Sequence, residues 1–169
     1  MLKREKAFDG GGFILFSGYS LIHPGGDMSV SARNQLSGTV ASVTEGAVNS
    51  EVVLTLESGE TLTTVITRNS VATLGLVPGK PALALIKAPW VILASADCGL
   101  NFSARNQFSG TVNRIVDGAV NATVHITTTK GLKLTASVTN DSVQDMGLYA
   151  GSAVIALVKA SSVILATRA

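Results

Sequence analysis

The chain has 169 residues, 46% of them hydrophobic and only 14% charged, with a formal net charge of +2. So little charge favours a large shared interface over a wholly solvated surface, and a mild positive balance without any run of Lys and Arg argues against nucleic acid or membrane as a partner. Aromatics at 5% argue against a platform for stacking bases. The single cysteine, Cys98, cannot close an intrachain disulfide and fits a reducing, cytoplasmic setting.

Residues 1–28 read as an extension. Lys3, Arg4 and Lys6 precede an apolar run from Phe13 to Ile22, which is too short to cross a bilayer and is not followed by a small-x-small cleavage site. Glycine-rich stretches on both sides of the run suggest poor packing, and Met28 is an alternative start. From Gln35 the pattern becomes that of strands: Gln35–Val43, then Val52–Leu56 with alternating burial, then Thr61–Thr67, rich in β-branched residues. Asn69 or Ser70 is placed to cap a short helix over Ser70–Leu76, which Pro78-Gly79 ends. Pro81–Ile86 and Val91–Ala94 follow as short apolar strands around Lys87-Ala88-Pro89-Trp90.

The same order then returns. Ser31-Ala32-Arg33-Asn34-Gln35 recurs as Ser103-Ala104-Arg105-Asn106-Gln107, an offset of 72 residues (103 − 31). Without a gap, that offset carries Gly46-Ala47-Val48-Asn49 onto Gly118-Ala119-Val120-Asn121 and Lys87-Ala88 onto Lys159-Ala160. The chain is a tandem duplication. The second copy's strands are expected at Gln107–Val116, Ala122–Thr128, Leu132–Thr139, Ser152–Val158 and Val163–Ala166, with a helix over Ser142–Leu148 capped by Asp141 or Ser142. Five short strands and one short helix per copy imply an all-β fold of two tandem OB-like five-stranded β-barrels, in domains 29–98 and 101–169, joined by a linker short enough that the barrels touch.

The residues offer little for catalysis. His23 lies in the extension, and His125 stands where the first copy has Val53, as a tolerated surface residue would. Carboxylates occur singly, no cluster has cation-ligand spacing, and Gly79-Lys80 lacks the rest of a phosphate loop. The chain therefore reads as non-catalytic. What repeats is a set of donors: Ser31, Arg33, Thr67, Ser70 and Lys87, matched by Ser103, Arg105, Thr139, Ser142 and Lys159. No carboxylate repeats with them. Donors without a fixed acceptor suit an anion with no proton to give, and one Arg with one Lys match a charge of −2. A protonated phosphate would find no acceptor, so its rejection is expected. The plainer reading is open beside this one: the serines cap turns, the lysines are solvated strand ends that discourage edge pairing, and Arg33 pairs with Glu45. The Gly-Ala-Val-Asn turns leave two readings open as well, either an anion nest of backbone N–H groups or a plain turn with a left-handed Asn.

Taken together, Ser-Ala-Arg-Asn-Gln, Glu-Gly-Ala-Val-Asn and Lys-Ala-Pro-Trp (Lys-Ala-Ser in the second copy) resemble the Mop domain of the molbindins, whose fold is related to the TOBE domain of transport ATPases. The resemblance covers residues 29–169. It implies molybdate as ligand, with tungstate equal in charge and shape, held for storage and homeostasis at interfaces of a homotrimer of tandem chains. The ten repeated donors would form one class of molybdate site, to which Ser161 adds a hydroxyl in the second copy. Ala47, Val48 and Asn49 with Ala119, Val120 and Asn121 would line a second oxyanion class near the symmetry axis. The rival readings are the sensor half of a molybdate-responsive transcription regulator, an accessory domain of an importing ATPase, and an oligonucleotide-binding barrel.

Overall fold

The structure, a computed structural model, describes residues 30–169. The readings of the extension and of His23 lie outside these residues. By its contacts the chain divides into Met1–Ser31 and Ala32–Ala169, and every strand described falls in the second unit.

Ten strands form two five-stranded antiparallel sheets, each curled into an OB-like half-barrel, as the all-β reading expects. In the first copy these are β1 (Asn34–Glu45), β2 (Asn49–Leu56), β3 (Thr61–Thr67), β4 (Pro81–Ile86) and β5 (Ile92–Ser95), with helix α1 (Arg68–Leu74) after β3. The second copy supplies β6 (Asn106–Val116), β7 (Asn121–Thr128), β8 (Lys133–Thr139), β9 (Ala153–Val158) and β10 (Ile164–Ala166), with α2 (Asn140–Asp145) after β8. Period-2 burial makes these strands: in β2, Ser50, Val52, Leu54 and Leu56 point inward while Asn49, Glu51, Val53 and Thr55 do not. β1 and β6 are each interrupted by a bulge, between Val40 and Ser42 and between Val112 and Arg114, which helps these long strands bend across their sheets.

Both helices begin two residues before the expected position. Thr67, not Asn69 or Ser70, is the N-cap of α1, and its hydroxyl accepts from the Ser70 N–H at 3.1 Å. Thr139, not Asp141 or Ser142, does the same for α2 through the Ser142 N–H at 3.1 Å. The cap residue must keep extended φ/ψ, and each Thr is the last residue of a β-strand. Gly75 ends α1 at a φ of 61°, where a side chain would be strained.

The two sheets exchange their last strands. One has the order β10-β4-β1-β2-β3 and the other β5-β9-β6-β7-β8, so each draws four strands from one copy and the fifth from its repeat. After β4 the chain makes a 3-10 turn, Ala88–Trp90, buries Val91, and pairs Leu93 with Ala156 of the second copy. The turn Ala160–Ser162 likewise leads through buried Val163 to Leu165, which lies opposite Ala84. One apolar cluster runs through both halves, including Leu54, Leu62 and Ile86 from the first copy and Ile126, Leu134 and Val158 from the second.

Two buried asparagines lock this arrangement. The Asn106 side chain accepts from the Thr63 N–H at 2.7 Å and donates to the Thr63 carbonyl at 2.7 Å and to the Val158 carbonyl at 3.2 Å. Asn34 accepts from the Thr135 N–H at 2.7 Å and donates to the carbonyls of Thr135 at 2.8 Å and Ile86 at 3.2 Å. Each amide thus imitates a strand neighbour to the opposite copy, and both residues are almost fully buried. Such a group is tolerated inside only because its bonds are made.

Candidate functional site

The repeated motif of each copy is anchored on the third strand of the other. Asn106 fixes the second copy's motif onto Thr63 in the middle of β3, and the residue before it, Arg105, reaches Glu51, the register partner of Val65. These contacts step along β3 towards Thr67 and α1. The turn that follows Lys159 packs against the same strand. Lys159 stands opposite Arg105 by continuation of the Asn106–Val158 pairing, so the two cations share one strand end. This is the first seam: Arg105 and Lys159 from the second copy along β3 of the first, the strand that leads into α1.

The second seam repeats it in reverse. Asn34 is clamped to Thr135 on β8, the turn after Lys87 packs on β8, and Arg33 stands opposite Lys87 beyond the Asn34–Ile86 pair. Arg33 is exposed and has no ion pair among the described residues. Gln35 and Gln107 each donate to the carbonyl three residues back, Ala32 at 3.2 Å and Ala104 at 2.9 Å, which closes the loop that carries each Arg. Ser31 falls in the N-terminal unit and is exposed.

At each strand–helix junction two hydroxyls are paired: Thr67 Oγ1 lies 2.7 Å from Ser70 Oγ, and Thr139 Oγ1 lies 2.8 Å from Ser142 Oγ. The Thr oxygen already accepts a backbone N–H. If it also accepts the Ser hydroxyl, its own proton is left to donate outward. Lys87 Nζ rests 5.6 Å from the centroid of the Trp90 ring, a cation–π contact that limits its wandering. The equivalents Lys159 and Ser162 have no aromatic ring, and the exposed Ser161 stands where the first copy has Pro89.

The Gly-Ala-Val-Asn turns dock on the same junctions. Asn49 pairs with Thr67 and Asn121 with Thr139, and the first N–H of each helix, from Arg68 and Asn140, bonds the carbonyl of Val48 and Val120 at 2.9 Å. Gly46 and Gly118 are needed because a Cβ would run into the carbonyl oxygen of Asn49 or Asn121. The plain-turn reading with a left-handed Asn is corrected: only glycines have positive φ among the described residues, and both asparagines begin strands. The nest is smaller than expected, since the Gly46 N–H bonds the Asn49 carbonyl at 2.9 Å. Ala47, Val48, Ala119 and Val120 are exposed. The expected Arg33–Glu45 pair is also corrected, for Glu45 pairs with Arg68 at 3.3 Å.

Two participants escaped the sequence reading. The repeated Asn of the motif was noted only as part of the repeat, although a polar residue in phase with buried Leu36 signals an internal clamp. Glu51 is not repeated; Thr123 holds its place. His125 lies 3.4 Å from the Thr135 hydroxyl, and burial, with the neighbouring Arg114 charge, holds its pKa below the usual histidine range. No group of His, Cys, Asp and Glu among the described residues can hold a metal cation, and none of their helices is long and apolar enough to cross a membrane.

Residues 30–93 and 103–165 each match the TOBE domain, and the chain belongs to that family, with two copies of the domain in tandem. The chain is similar to a solved structure of the cytoplasmic molybdate-binding protein ModG with molybdate bound, with a TM-score of 0.79 and 44% identity, covering 83% of this chain and 100% of that one. It is 44% identical over 139 residues to the molybdenum-pterin-binding protein MopA of Rhodobacter capsulatus, covering 82% of this chain and 52% of MopA. It is 37% identical over 141 residues to the molybdenum transport protein ModE of Herbaspirillum seropedicae, covering 83% of this chain and 52% of ModE. The chain thus spans about half the length of the curated relatives it matches.

Proposed function

We propose that this chain binds molybdate reversibly and without catalysis, as a cytoplasmic store or buffer of the oxyanion. The observation that carries the reading is the pair of asparagine clamps, which anchor each copy's Arg-bearing motif on the strand of the other copy that ends in the paired hydroxyls. At the first seam, Ser103, Arg105, Lys159 and Ser161 would act with Thr67 and Ser70. At the second, Arg33 and Lys87 would act with Thr139 and Ser142. The likeness to ModG over that protein's whole length supports the ligand. Tungstate, equal in charge and shape, should bind as well.

A homo-oligomer, a trimer by resemblance, fits the exposed apolar residues that recur at the repeat offset: Val48 and Val120, Val77 and Tyr149, Ile92 and Ile164. Such paired patches suit contacts between copies of one chain. The Gly46–Asn49 and Gly118–Asn121 turns, with Val48 and Val120 outermost, would then line the second oxyanion class. A second reading, a ligand-sensing module of a regulator, is favoured by the likeness to the transcriptional regulator ModE of Yersinia pestis, 41% identical over 141 residues and 53% of that protein.

Titration calorimetry with molybdate, tungstate, sulfate and phosphate tests the binding. Molybdate at a hundred times its Kd should add about 2.7 kcal/mol of stability by mass action, read as a raised Tm, while phosphate adds far less. Equal responses to molybdate and phosphate would refute the selectivity. A salt-dependent DNA-binding assay and light scattering address the sensing reading and the oligomer.

A further inference from the structure

The two seams share a backbone arrangement but not a charge. In the first, both terminal guanidinium nitrogens of Arg105 are engaged by one carboxylate: Nη1 lies 2.7 Å from Glu51 Oε2 and Nη2 lies 3.2 Å from Glu51 Oε1. Glu51 comes from β2 of the first copy and is half-buried, its side chain 30% exposed. The second seam has the same clamp and the same Arg, but Thr123 occupies the position of Glu51. Arg33 accordingly has no ion pair among the described residues.

We infer that Glu51 is a specificity-determining residue that makes the two oxyanion seams unequal. This rests on the molybdate reading above. A guanidinium fork presents two parallel donors to one planar or tetrahedral partner, and here that partner is already in place. An incoming dianion must either displace the carboxylate from the fork or bind beside it, and the negative charge of Glu51 opposes it in both cases. The first seam is therefore the weaker of the two for molybdate.

Selectivity changes with affinity. A carboxylate whose two oxygens each accept one N–H keeps further lone pairs, so it can accept a hydrogen bond from a ligand that carries an O–H. Hydrogen phosphate carries such a group and molybdate does not. The first seam thus discriminates less sharply against phosphate, whereas the second, which has no carboxylate at the equivalent position, discriminates more sharply. Lys159 only donates, and the Ser161 hydroxyl, which can accept as well as donate, is matched in kind by the Thr139 and Ser142 hydroxyls of the second seam, so the carboxylate of Glu51 is the acceptor that sets the seams apart.

Calorimetric titration of the full chain with sodium molybdate, alone and in competition with inorganic phosphate, tests the inference on the wild type and on Glu51→Gln, Glu51→Thr and Thr123→Glu. Glu51→Gln keeps size and one donor–acceptor pair while removing the charge, so it remains informative if the Thr variant folds poorly. The wild type should show two classes of site differing about tenfold in Kd, with phosphate competing mainly at the weaker. Either Glu51 substitution should tighten the weaker class towards the stronger and reduce phosphate competition there, and Thr123→Glu should weaken the stronger class. If both Glu51 variants fold, by circular dichroism, and leave both classes and their phosphate competition as in the wild type, the inference is overturned. If the wild type takes up no molybdate at all, the functional reading fails, and the inference with it.

Discussion

The first and second copies are most alike where they hold each other, and they differ in charge and in buried hydroxyls nearby. The asparagine clamps, the Thr caps with their paired Ser hydroxyls, and the exchanged last strands are the same in both. Among the many positions that diverge, a few are chemically pointed. Glu51 faces Arg105 while Thr123 takes its place in the second copy, Trp90 steadies Lys87 while Ser162 leaves Lys159 without a ring, and the first copy's Ser50 and Thr64 become Ala122 and Ala136. Duplication has kept the contacts that join the copies, while charges and buried hydroxyls near them have changed.

The largest effect is expected where the comparison is sharpest. Arg33→Ala with Lys87→Ala should lower molybdate affinity at the second seam by at least about a hundredfold, since each lost charge-assisted hydrogen bond contributes about 1.5–3 kcal/mol. The first seam should keep its affinity, so calorimetry should show one class lost and one retained. Loss of both would mean that the seams are not separate sites.

Breaking a clamp comes next. Asn106→Ala strands the N–H and carbonyl of Thr63 and should cost about 1–3 kcal/mol in urea unfolding. Asn34→Ala should cost a similar amount through Thr135. A large difference between the two would show that the halves are unequal in stability as well as in charge.

The interior of the first copy offers a gain. The Ser50 and Thr64 hydroxyls are buried and unpartnered, while their counterparts are alanines with no exposure. Ser50→Ala should therefore stabilise the chain by about 1 kcal/mol, a rise in Tm visible by calorimetry. A loss would mean that the hydroxyl holds an internal water.

The smallest effect concerns His125. Burial first and Arg114 second lower its pKa, so the folded chain disfavours its protonation. Its contribution is present above about pH 6.5, the unfolded value, and is lost as pH falls through the lower folded value. His125→Val, which installs the first copy's residue, should flatten stability between pH 5 and about 6.5. An unchanged pH profile would remove His125 from the account.

Most of the strands were legible because β-branched residues and period-2 alternation specify a half-buried strand locally. Thr61–Thr67 and Pro81–Ile86 need no adjustment. The caps were misplaced by a few residues because Thr67-Arg68-Asn69-Ser70 offers several capping types, and only the end of β3 decides among them. The strand exchange was invisible for a physical reason. Val91–Ala94 and Val163–Ala166 have identical sequences, so either copy's strand satisfies either sheet, and alternation identifies a strand without naming its neighbour. For the seams, the repeat singled out the donors, but an unrepeated carboxylate such as Glu51 leaves no mark in a search for what recurs.

The traded strands have a consequence for any shortened version of this chain. A fragment ending near Cys98 would keep β5 but lose its acceptor β9, and would leave β4 with an open flank that β10 normally closes. Because the two donated segments carry the same letters, a second fragment could fill that flank and have its own filled in return. Half of this molecule should therefore pair up before it is whole, with its folding dependent on its concentration.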